Sequence, residues 1–148
     1  MILKVKKIDG RAVLPTYQTP GSAGLDLSVL LDKAKTLADN EYFMFSTGLA
    51  VEIPPGYVGL LFVRSSVGTK LGLRLANSVG VIDSDYRGEV RIAIHNISGK
   101  EVVVENGQKL AQLVIMPAMQ YELIEVDELQ DTERGAGGFG STDRRGDL

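Results

Sequence analysis

Apolar runs, most of four to seven residues, recur along this chain, separated by turns rich in glycine, proline and asparagine. The runs are Leu3–Ile8, Tyr42–Phe45, Leu49–Ile53, Tyr57–Val63, Val90–Ile94, Val102–Val104, Leu110–Met116 and Tyr121–Val126. Their lengths suit strands better than helices. Val90, Ile92 and Ile94 alternate with Arg91, Ala93 and His95, a period of two that predicts a half-buried strand. Pro54-Pro55-Gly56 and Glu105-Asn106-Gly107 supply sharp turns between runs. The pattern predicts an all-β domain. One stretch stays open: Leu30–Ala38 is built mostly of helix formers, yet it is short with a polar middle, and suits a loop across a sheet face equally well.

Composition narrows the chemistry. The 148 residues make one domain. There is no cysteine and a single histidine, His95, which excludes disulfides, zinc–thiolate sites, a cysteine nucleophile and a three-histidine metal site within one chain. The formal net charge of −3 argues against a binder of nucleic-acid backbones. No signal peptide is read at the N-terminus, and no apolar window reaches the ~18 residues that would span a membrane. A soluble protein of a reducing compartment is expected: the cytoplasm, or a host cell's interior if the source is viral. Residues 1–126 are expected to form the β domain. Residues 127–148 read as a flexible arm: four of the six residues from Gly135 to Gly140 are glycine, and Phe139 is the arm's one aromatic. That arm is either a frayed end or a strap whose Phe139 stacks on a ring while Arg134, Ser141 and Thr142 meet an anion.

Further candidate chemistry sits in four places. Arg64-Ser65-Ser66, followed by Gly68, ends an apolar run. It offers a guanidinium, two hydroxyls and, if a helical turn begins there, free amides for a phosphate; a solvated strand end with a serine cap is the plainer reading. Asp83, in Gly80-Val81-Ile82-Asp83-Ser84-Asp85-Tyr86-Arg87-Gly88, is either a general base for a water or a turn cap. Gln112 interrupts an apolar run, so it faces solvent or satisfies something specific. Asp26, after a glycine-rich turn, can support a magnesium shell or an arginine, or lie at the surface.

Taken in order, the segments Gly24-Leu25-Asp26, Arg64-Ser65-Ser66, Gly80–Gly88, Gly107-Gln108-Lys109-Leu110-Ala111-Gln112 and Arg134–Thr142 resemble the five motifs of the trimeric dUTPase family, over about residues 1–142. The resemblance implies a distorted jelly-roll-like β-barrel with a C-terminal arm. It implies a homotrimer with active sites shared between subunits, and magnesium-assisted hydrolysis of dUTP to dUMP and pyrophosphate. Asp83 then looks like the general base for attack on the α-phosphorus. Tyr86 looks like the platform under the deoxyribose, and Asn77 with the backbone of Gly80 and Val81 like the uracil reader. Arg64, Ser65, Ser66, Gly68 and Gln112 look like phosphate ligands. Asp26 looks like the carboxylate behind the metal's water shell or behind a phosphate arginine. Arg134 looks like the γ-phosphate ligand, Phe139 like the lid over the base, and Gly140, Ser141 and Thr142 like further contacts. Val63 stands where many members have proline. A related dCTP deaminase would carry an arginine at Thr69 and a glutamate at Ala93, so deamination is disfavoured. A regulatory protein that binds a protein partner under dUTP control is the other alternative.

Overall fold

A computed structural model of the chain describes residues 2–139. Among these residues lie eleven strands and one helix: β1 (Lys4–Lys7), β2 (Leu25–Ser28), β3 (Lys35–Leu37), β4 (Tyr42–Ser46), β5 (Leu49–Glu52), β6 (Tyr57–Val63), α1 (Ser65–Leu71), β7 (Leu73–Leu75), β8 (Gly80–Ile82), β9 (Arg91–Asn96), β10 (Val102–Val104) and β11 (Lys109–Pro117). The all-β expectation is met. The strands pair antiparallel in four sheets, ordered β2-β11-β6-β8, β4-β9-β7, β1-β5 and β3-β10.

One apolar cluster joins the sheets. Phe45, Leu49, Leu73, Ile92, Ile94, Leu110 and Leu113 are fully buried in it. The alternation read over Val90–His95, which includes most of β9, is present in its first part: Val90, Ile92 and Ile94 are buried and Arg91 is exposed. His95, expected on the open face, is instead 4% exposed, stacked on Tyr42 and bonded to Asn40 and Arg74. The same strand holds a buried polar knot. The Asn96 side-chain amide donates to the carbonyls of Leu37, Ala38 and Lys100 at 3.1, 2.9 and 2.8 Å, and its oxygen accepts from the Ser98 amide and hydroxyl. One side chain thus ties β9 to the end of β3 and to the loops after β3 and β9, and the buried Asn96 amide has all its polar atoms paired.

Two segments differ from their sequence pattern. Leu30–Ala38 is not helical: it is irregular until Lys35–Leu37 forms β3, in register with β10 (Leu37 opposite Val102). A helix would have had an apolar stripe in Leu30, Leu31, Ala34 and Leu37, but the ladder with β10 takes the segment instead and buries Leu37 completely. Tyr121–Val126 reads as an apolar run but pairs with nothing among the described residues, and Tyr121, Leu123 and Ile124 are 74%, 93% and 77% exposed.

Candidate functional site

The four-stranded sheet positions both groups of candidate residues, one at each end of β6. At the C-terminal end, β6 runs into α1 through Arg64, whose extended backbone starts the helix. The Val67 and Gly68 amides already bond the Arg64 carbonyl, while those of Ser65 and Ser66 belong to the unpaired first turn. The cap is therefore backbone only, not the serine cap of the plainer reading. Gln112 on β11 faces Asp26 on β2 and Phe62 on β6, so Asp26 and Gln112 share one face. Gly24 makes room for this: a Cβ there would stand 2.6 Å from the Gln112 Oε1.

Asp26 is 7% exposed and holds two cations. Arg64 Nε lies 3.0 Å from its Oδ1, and Lys109 Nζ lies 3.5 Å from its Oδ2, an ion pair without hydrogen-bond geometry. A register shift in β11 between Lys109 and Ala111, the mark of a bulge, accompanies this aim of Lys109 at Asp26. With Nε taken, the outer fork of Arg64 faces a cleft of about 450 Å³ that Ser66, Lys70 and Lys109 also line. The balance of Arg64, Lys109 and Lys70 against Asp26 is cationic, which suits an anion. Gly68 is not required by the chain itself, because a Cβ there meets only ordinary contacts with Val63 and Leu73.

At the other end lies the hairpin after β8. Asn77, Gly80, Val81, Asp83 and Tyr86 line a cavity of about 330 Å³, so the sequence-predicted residues of this segment do come together. The Tyr86 amide bonds the Asp83 carbonyl at 3.2 Å, closing a tight turn, and the Arg87 guanidinium bonds the carbonyls of Ser84 and Tyr86. The Tyr86 hydroxyl donates to the Glu89 carbonyl at 3.2 Å, and its ring covers Gly88 so closely that a Cβ there would collide with it. Glu89, which the sequence did not single out, anchors this hairpin. Its carboxylate accepts from the Gly48 amide at 2.8 Å and from Arg91 Nε at 2.9 Å. Burial by itself would raise the Glu89 pKa, but the Gly48, Arg91 and Ser46 hydrogen bonds and the Arg91 charge outweigh it and hold the carboxyl below its ordinary value.

The two groups do not meet in one chain. Gly59 pairs with Ile82, so Asp83 stands level with Val58, while Arg64 follows the far end of the same strand. Six residues at about 3.3 Å each separate them by about 20 Å. The arm is also apart: Arg134 Nε bonds the Gly137 carbonyl at 2.9 Å, and Phe139 is fully exposed. Gly140, Ser141 and Thr142 lie outside the described residues. No helix among the described residues is long and apolar enough to cross a membrane.

A cationic cleft at one end of a sheet and a cavity with a carboxylate, an amide side chain and a tyrosine at the other suit the two ends of a nucleotide. The comparisons agree. The dUTPase family model matches residues 11–143. A deoxyuridine 5'-triphosphate nucleotidohydrolase of Hydrogenobaculum is 44% identical over 142 residues, covering 96% of this chain and 98% of that protein. One from Desulfitobacterium hafniense is 48% identical over 130 residues, 87% and 86% of the two chains. Among solved structures, a mutant dUTPase of Staphylococcus bacteriophage 80alpha with dUpNHpp superposes with a TM-score of 0.85 at 31% identity, covering 95% of this chain and 98% of that one. The dUTPase of phage phi11 of S. aureus gives 0.79 at 30%, covering 89% and 100%. The chain belongs to the dUTPase family, and it is a nucleotide hydrolase of that type.

Proposed function

We propose that the protein hydrolyses dUTP to dUMP and pyrophosphate, in an oligomer whose sites are each completed by more than one chain. Asp83 is the general base: its carboxylate takes the proton from a water whose oxygen attacks the α-phosphorus, and pyrophosphate leaves with the electron pair of the broken P–O bond. Asn77 and the backbone of Gly80 and Val81 read the uracil edge. Tyr86, fixed by the Glu89 carbonyl, lies under the sugar and leaves no space for a 2′-hydroxyl. Arg64, Ser65, Ser66, Gly68 and Gln112 bind the phosphates, and Asp26 keeps Arg64 pre-aimed through its 3.0 Å ion pair.

The observation that carries this reading is the separation of about 20 Å between two half-sites, each chemically half of a nucleotide site. Assembly brings the hairpin of one copy to the cleft of another. A homotrimer is the assembly we assign. The exposed apolar stretch Met119–Val126 supports oligomerisation, since apolar side chains of this size gain from cover by a second copy. Residues 1–126 then form the catalytic domain. Residues 127–148 form the arm that closes the site, with Arg134 on the γ-phosphate, Phe139 over the uracil, and Gly140, Ser141 and Thr142 on the phosphates.

Magnesium fits as an ion carried in with the triphosphate. Among the described residues no three His, Cys, Asp or Glu side chains converge to cage a metal. Mg²⁺ commonly binds through one or two carboxylates plus phosphates and keeps several waters. Asp26, whose Oδ2 is buried beside Lys109 without a hydrogen bond, is the carboxylate we assign behind that water shell. The ion supplies charge neutralisation of the polyphosphate when bound.

The direct test is pyrophosphate release from dUTP, dTTP, dCTP and UTP, each with and without magnesium. Turnover of dUTP far above the other three is expected. Equal turnover of UTP would remove Tyr86 from beneath the sugar, and no release from dUTP would overturn the reading.

A further inference from the structure

The wall of the base slot is set by a backbone strain that none of the motifs explains. Between Ala76 and Gly80 the chain crosses from one sheet to another: the Ala76 amide still bonds Ala93 beside β9, and Gly80 is already paired with Leu61 on β6. Only Asn77, Ser78 and Val79 lie between. The crossing closes with the Val79 amide donating to the Asn77 carbonyl at 2.7 Å, a hydrogen bond spanning a single residue. That residue, Ser78, has φ +63°. A γ-turn with a positive central φ is the rare, strained form. Asn40, Ser78 and Phe139 are the non-glycine residues with positive φ among those described. Asparagine tolerates that region readily; serine is not among the residues enriched there.

Such strain persists only where the surroundings over-determine it, and it collects at functional sites. Here Asn77 and Gly80 line the cavity of about 330 Å³. Gly80 is sandwiched: a Cβ on it would stand 2.9 Å from the Leu61 Cβ and 3.8 Å from the Asn77 Nδ2. The γ-turn folds Asn77 back over the Gly80 backbone. A relaxed, negative φ at 78 would swing Asn77 away and widen the slot. We propose that Ser78 is a specificity-positioning residue, whose left-handed backbone fixes Asn77 against Gly80 and so excludes pyrimidines bearing a 5-substituent. The inference rests on the dUTPase reading above and extends it to a residue outside the motif contacts.

The test compares Ser78→Gly, Ser78→Asn and Ser78→Val by kcat/KM for dUTP and for dTTP, with melting temperature as a folding control. Glycine and asparagine accept positive φ; β-branched valine does not. The two left-handed-tolerant variants are expected to keep the dUTP:dTTP ratio within about threefold, and valine to lower it about tenfold, the scale at which a pocket discriminates one methyl group. A ratio does not depend on the fraction of enzyme folded, so destabilisation alone leaves it unmoved. If Ser78→Val does not fold, the β-branched Ser78→Thr takes its place, with the ratio expected to fall in the same direction. A valine or threonine ratio equal to the parent's, or a lost ratio in the glycine and asparagine variants, overturns the inference while leaving the dUTPase reading intact. A parent that does not hydrolyse dUTP overturns both.

Discussion

Mixing two inactive variants tests whether the catalytic site spans chains. Asp83→Asn removes the base but leaves Arg64; Arg64→Ala removes the guanidinium but leaves Asp83. In one chain the two lie about 20 Å apart along β6, and Arg64 is further tethered to Asp26 at 3.0 Å, so neither side chain crosses the gap. Loss of the base is expected to cost about 10²–10⁴-fold in turnover. Loss of the arginine should leave Asp26 with Lys109, 3.5 Å away, which keeps the carboxylate from being buried without a counter-charge. After co-refolding equal amounts, each site draws its base and its guanidinium from different chains. Random assortment then leaves about a quarter of the sites with both, since each of two independent draws succeeds half the time. The mixture should regain about a quarter of parental dUTP turnover, two variants each nearly dead having made an active enzyme. Circular dichroism of each variant alone confirms the fold. A mixture no more active than the mean of its components would refute the shared site and the geometric argument behind it.

Three more outcomes are expected. Asn96→Ala should lower unfolding free energy by about 1–2 kcal/mol, measured by urea denaturation, because it removes the side-chain donor from the buried Leu37 carbonyl, while the Ala38 carbonyl keeps the Glu41 amide and the Lys100 carbonyl keeps the Ser98 hydroxyl; an unchanged midpoint would contradict the knot. Glu89 has a folded-state pKa below its ordinary value of 4.5, so its contribution to stability is present above that value and lost as pH falls through the lower folded one. Thermal unfolding of Glu89→Gln against pH should therefore show a shallower acid decline than the parent, and parallel curves would count against the anchor. Truncation before Arg134 should keep the oligomer and the melting temperature while cutting turnover. Truncation before Met119 should also dissociate the oligomer in sedimentation, because it removes the exposed apolar stretch; an intact assembly would show that the stretch is not buried between copies.

What could be read from the sequence was decided locally. Val90, Ile92 and Ile94 alternate because one face of β9 is core, and Pro54–Gly56 and Asn106-Gly107 turn because Gly56 and Gly107 take φ +80° and +78°. Arg64-Ser65-Ser66 is legible because its donors are contiguous. What could not be read depends on partners far along the chain. Lys35–Leu37 is a strand only because Val102–Val104 offers a ladder, and the hold of Asp26 on Arg64 needs β2, β11 and β6 in register. Asn96 and Glu89 have side chains typical of a surface, and only the packed loops around them bury the first and largely enclose the second. The stretch Tyr121–Val126 is the reverse case. Its apolar character is legible, but a strand needs a ladder, and this chain supplies none for it among the described residues.

The same sheet explains why this arrangement suits a demanding substrate. A triphosphate needs cations converging at one end and a closely fitted slot at the other. In the isolated chain the two half-sites stand about 20 Å apart along β6. On the proposed reading they meet on assembly, when the negative phosphates between them offset the positive charge of Arg64, Lys109 and Lys70. Activity should then fall with protomer concentration when dilution separates the chains, and it should fall even though each chain retains its own core.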